Sequence, residues 1–111
     1  MATRKQKTPG QFRQGDVFIT RIEEIPSDAK PVARENGRVV LAHGEVTGHA
    51  HAIEEEQVTM VEVDDGIRYL DVQMEAFLRH EEHATIALSP GKYRVTIQRE
   101  YSPEAIRSVV D

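Results

Sequence analysis

Tyr93-Arg94-Val95-Thr96-Ile97-Gln98-Arg99 alternates apolar and polar residues along its length. Successive side chains of an extended strand point to opposite faces, so Tyr93, Val95 and Ile97 define a core face and Arg94, Thr96 and Gln98 a wet one. Ser89-Pro90-Gly91-Lys92 precedes this strand as a turn, with proline presetting φ and glycine accepting positive φ, and Thr85-Ile86-Ala87-Leu88 leads into it.

Working outward, the same reading repeats. Residues 57–63 and 67–72 are apolar-rich runs joined by Asp64-Asp65-Gly66, while Val32-Ala33-Arg34 and residues 38–42 flank Glu35-Asn36-Gly37. Asp-Gly and Asn-Gly between apolar runs predict two hairpins. Residues 17–22 follow Gly15-Asp16 as a β-branched and aromatic strand running toward Ile25-Pro26, where proline ends ladder bonding. Residues 74–78 mix helical and strand tendencies and are assigned as a strand. Ser102-Pro103-Glu104 places an N-cap, a proline at the first helical position and an acid in the first turn. A short C-terminal helix is therefore expected, with Ile106, Val109 and Val110 on its packing side. About seven short strands at regular spacing predict an all-β, single-domain fold, either a small β-barrel or a two-sheet sandwich.

A chain of 111 residues fits one domain. Residues 1–14 hold Arg4, Lys5, Lys7 and Arg13 and no acid, and read as a flexible basic arm ahead of a β domain over 15–111. The net charge of −5 argues against a nucleic-acid-coating surface and leaves only that arm for such a contact. No apolar run approaches the roughly 20 residues that span a bilayer, and no signal-peptide core follows the basic head, so a cytoplasmic protein is expected. Cysteine is absent, which excludes disulfides, thiolate zinc sites and iron–sulfur clusters. Any metal must be held by nitrogen and oxygen.

Nitrogen ligands are concentrated in two places. His43, His49 and His51 fall within nine residues, and His80 and His83 within four. If residues 45–53 form a strand, Glu45, Thr47, His49, His51 and Ile53 share one face, and the two imidazoles stand roughly 6.5–7 Å apart. Rings at that spacing can converge on one ion through bonds of about 2.0–2.1 Å. Gly44, Gly48, Ala50 and Ala52 leave room around them. On a regular strand His80 and His83 oppose each other, whereas a turn or bulge at Glu81-Glu82 brings both inward and adds carboxylates. The candidate ligands are thus His49, His51, His80 and His83, with His43, Glu45 and Glu82 secondary.

His49-Ala50-His51-Ala52-Ile53-Glu54-Glu55 resembles the His-x-His-x-x-x-Glu portion of the first metal motif of the cupin family. That resemblance implies a small β-barrel with an internal histidine site, in which His49, His51 and Glu55 are ligands and His80 or His83 supplies a distal histidine. The wider pattern, from Gln14-Gly15-Asp16-Val17 through residues 44–49 to Gln98-Arg99-Glu100-Tyr101, resembles small uncharacterised bacterial proteins.

Three functions fit these residues. The first is a metal-binding protein or metal-dependent enzyme using zinc, iron, manganese or nickel. The second is a structural module, such as a homo-oligomer, with a non-catalytic histidine site. The third is metal-free histidine chemistry on a phosphodiester, because His83-Ala84-Thr85 resembles half of the paired His-x-Thr motif of two-histidine phosphoesterases.

Overall fold

A computed structural model describes residues 10–44, 46–63 and 66–98. Ten strands follow in order: β1 (Gln11–Gln14), β2 (Val17–Ile22), β3 (Lys30–Pro31), β4 (Val39–His43), β5 (Ala50–Ile53), β6 (Val58–Glu62), β7 (Arg68–Val72), β8 (Ala76–Arg79), β9 (Ile86–Leu88) and β10 (Gly91–Ile97). They form a six-stranded sheet in the order β1-β2-β10-β7-β6-β3 and a four-stranded sheet in the order β4-β5-β8-β9. All pairings are antiparallel.

The fold is all-β, as the alternation predicts, and its two sheets remain open. A closed barrel is not formed: β1 and β3 are edges of the larger sheet, β4 and β9 of the smaller. No helix occurs among the described residues, and none there is long and apolar enough to cross a membrane. The helix expected after Ser102 lies outside the described residues.

Both sheets contribute to one core. Val17, Ile19, Leu70, Tyr93 and Val95 from the larger sheet meet Val39, Leu41, Ile53, Leu78 and Leu88 from the smaller. In β10 Tyr93 and Val95 are buried while Arg94 and Thr96 are exposed, which is the two-residue period of the sequence. The Tyr93 hydroxyl donates to Ser89 O at 2.6 Å and lies 2.9 Å from Arg21 Nη1, so its burial leaves no polar atom stranded.

Two sequence expectations change here. Residues 11–14 belong to the sheet, because Gly15 at φ 59 turns the chain and β1 pairs with β2 from Gln11↔Thr20 to Gln14↔Val17. The Asn36-Gly37 turn is present, with φ 56 and 80, but closes a single bridge, Glu35↔Arg38. Its arms then separate: β3 pairs with β6 and Val32 N–H donates to Met60 O, while β4 pairs with β5. The turn therefore moves the chain from one sheet to the other. The β6–β7 hairpin is as expected, in register from Val58↔Val72 to Glu62↔Arg68, although Asp64 and Asp65 lie outside the described residues.

A bulge in β4 matters for the site. The register shifts between Val40 and Ala42, so Leu41 enters the main core beside Val39 while Ala42 pairs with His51 and His43 with Ala50. Directly paired residues share a face. His43 thus falls on the face of Ala50, opposite to that of His51.

Candidate metal centre

The first histidine segment is a short strand preceded by a tight loop, rather than one strand over 45–53. Gly44 N–H donates to His49 O at 2.8 Å and His49 N–H to Val46 O at 3.0 Å, so His49 is tied back to both Gly44 and Val46. A Cβ on Gly44 would lie 2.9 Å from His49 Cβ and 3.1 Å from His80 Nε2, so this close approach requires glycine. His49 leaves the loop, whereas His51 points inward from β5. Small residues on the reverse side of β5, Ala50 and Ala52, pack with Val40 in a second buried cluster.

The second segment leaves β8 after Arg79 and turns at once. Glu82 N–H donates to His80 Nδ1 at 3.0 Å, and this turn brings both His80 and His83 to the cavity that His49 and His51 line. Four imidazoles consequently meet. Ring centroids are 4.3 Å apart for His51 and His80, 4.7 Å for His80 and His83, 5.6 Å for His49 and His80, and 5.9 Å for His51 and His83. The cavity has a volume of about 280 Å³ and is completed by Gly15, Asp16, His43, Gly44, Val46 and Glu82.

His51 is only 5% exposed, and its partner Gln14 only 3%. Gln14 falls in the segment whose basic composition predicts a flexible arm, yet its side chain is the deepest polar group of the centre. Its Oε1 lies 2.8 Å from His51 Nδ1, and its Nε2 donates to Leu78 O and Ala84 O at 2.9 Å each. The only local hint of this role is the adjacent Gly15, since a polar residue gives no alternation signal when its partners are 64 and 70 positions away.

Carboxylates surround the rings. Glu82 Oε2 is 3.7 Å from His49 Nδ1, and Glu81 Oε1 accepts from Ala50 N–H at 3.0 Å. The Ala50 amide lowers the Glu81 pKa, and the neighbouring His49 and His80 act in the same direction. Among the described residues, His49, His80 and Glu81 can each offer one ligand atom such that all lie within 4.8 Å of one another. Tetrahedral ligands at about 2.0–2.1 Å from an ion stand roughly 3.4 Å apart, so these three atoms would have to draw closer to share one ion.

Two sequence candidates lie differently. Glu55 is engaged with β8: its Oε1 accepts from Phe77 N–H at 3.2 Å and its Oε2 lies 3.4 Å from Arg79. Partial burial raises its pKa, but the Phe77 amide and Arg79 outweigh this and hold it below its ordinary value. His43 reaches the cavity rim while its Nε2 lies 3.0 Å from Glu35 Oε1. Glu45 lies outside the described residues. A larger hollow of about 690 Å³, with Arg68 and Arg94 in its lining, contains no histidine.

No curated protein and no solved structure matches the chain. Residues 13–98, which include all of β2 to β10 and every histidine, match the model of a family described as Domain of unknown function (DUF8820), and the chain belongs to that family.

Proposed function

We propose that the protein is a metal-binding β domain whose centre holds a divalent transition ion on imidazoles from two chain segments. The convergence of His49, His51, His80 and His83 on one cavity carries this reading. Neutral imidazole suits zinc, iron and nickel, and the nearby Glu81 and Glu82 extend the choice to manganese. Partners of the kind seen for His49 and His51, a carboxylate and a buried amide on Nδ1, typically orient a ring so that Nε2 faces an ion. The cavity beside the rings has room for water or a small molecule at an open coordination position.

The electrostatics favour a cation over a phosphodiester. The described residues lining the cavity include Asp16 and Glu82 but no lysine or arginine. Phosphoryl chemistry requires positive charge where the phosphate sits.

The test is metal content of protein purified without a histidine tag, after equilibration with zinc, iron(II), manganese or nickel. One ion per chain is expected for at least one metal, with the ratio falling to background in His51→Ala and His80→Ala and unchanged in His43→Ala. Absence of stoichiometric binding by all four metals overturns the reading.

A further inference from the structure

One buried amide joins both histidine segments. Gln14 is the last residue of β1, at the edge of the larger sheet, yet it touches β5 through His51 and brackets the second segment through Leu78 O and Ala84 O. Leu78 lies two residues before His80 and Ala84 one residue after His83. The two ends of the loop that presents His80 and His83 are therefore fastened to the same NH2 group.

The chemistry of that group leaves no choice of orientation. Backbone carbonyls only accept, so the nitrogen of the Gln14 amide must face Leu78 O and Ala84 O, and both its hydrogens are used there. The remaining atom, Oε1, only accepts. The His51 nitrogen 2.8 Å away, Nδ1, must then donate. In its neutral form His51 is consequently the Nδ1–H tautomer, with Nε2 as the basic nitrogen.

We propose that Gln14 is the positioning residue of the centre: it fixes His51 as an Nε2 ligand and pins the loop carrying His80 and His83. The step from tautomer to metal affinity rests on the proposed function; the tautomer itself does not. Removing such an outer partner of a metal-bound imidazole typically costs 10–100-fold in affinity.

Long-range proton–nitrogen NMR of metal-free, full-length protein at pH 8 reads the His51 tautomer directly. A protonated Nδ1 and an unprotonated Nε2 are expected, and a His51 ring protonated on Nε2 alone overturns the proposal. In Gln14→Met, which supplies neither the acceptor nor the two donors, the tautomer preference should be lost and the zinc Kd should rise about 10–100-fold. A Gln14→Met protein that binds zinc as tightly as the parent also overturns it. Should that variant fail to fold, the spectrum of the unaltered protein still decides. A parent with the expected tautomer that binds none of the four metals supports the positioning of His51 while refuting the metal function, so the two failures are distinguishable.

Discussion

Gly15 and His83 are in such close approach that a Cβ on Gly15 would lie 2.9 Å from His83 Nε2 and 3.2 Å from His51 Cε1. The turn also holds Gly15 at φ 59, where a side chain meets its own carbonyl. Gly15→Ala should therefore cost about 1–2 kcal/mol in urea unfolding from backbone conformation, and weaken zinc binding by displacing His83. A variant unchanged in both measurements shows that Gly15 does not shape the centre.

His80 makes a second prediction. Its Nδ1 accepts from Glu82 N–H, so the neutral ring carries its proton on Nε2, the opposite tautomer to that of His51. Coordination through either His80 nitrogen disturbs this arrangement: Nδ1 is taken directly, or the proton must move to Nδ1 and release the amide. Zinc should thus shift the Glu82 amide resonance and change its hydrogen exchange. A Glu82 amide unaffected by a saturating ion places His80 outside the ligand set.

Glu55 gives a pH dependence with a defined sign. Its folded pKa lies below its ordinary value, so the folded state stabilises the carboxylate. That stability is present above the unfolded pKa of about 4.3 and is lost as pH falls through the folded value. Glu55→Gln should be less stable than the parent at pH 7, with the difference shrinking below about pH 4. Parallel stability curves for the two proteins across that range would contradict the assignment.

Leu70 is fully buried between β10 and β6, paired with Tyr93 and Met60. Truncating it removes apolar contacts and leaves a cavity, so Leu70→Ala should destabilise by about 2–5 kcal/mol. Denaturant midpoints check this, and a loss below about 1 kcal/mol would mean that the site collapses around the gap.

The fold was legible where local chemistry determines it. Alternation in β10, the positive φ of Gly37 and Gly66 and the β6–β7 hairpin read correctly because each depends on residues close in sequence, whereas Gly91, expected in a turn, is the first residue of β10. Sheet membership did not, since the Asn36-Gly37 turn gives no sign of which partner each arm will find. The same limit applies at the centre. His49, His51, His80 and His83 stood out by clustering, but the loop geometry of His49 and the face of His43 depend on the bulge at β4 and the Gly44–His49 contact. Gln14 was missed because nothing local distinguishes a buried glutamine from a solvated one. The cupin resemblance drew attention to His49 and His51 but also to Glu55, whose carboxylate is held by Phe77 and Arg79.

The position of β10 in the larger sheet has a consequence for assembly. This last described strand is inserted between β2 and β7, so the β1–β2 and β6–β7 hairpins are joined only through it. During synthesis each hairpin emerges with an unsatisfied strand edge and must wait for residues 91–97 to fill the gap. Pairings so distant in sequence close slowly, because loop entropy is lost before the contacts are gained. The exposed edges of β2 and β7 are then the places where an unfinished chain is most open to pairing with a neighbour.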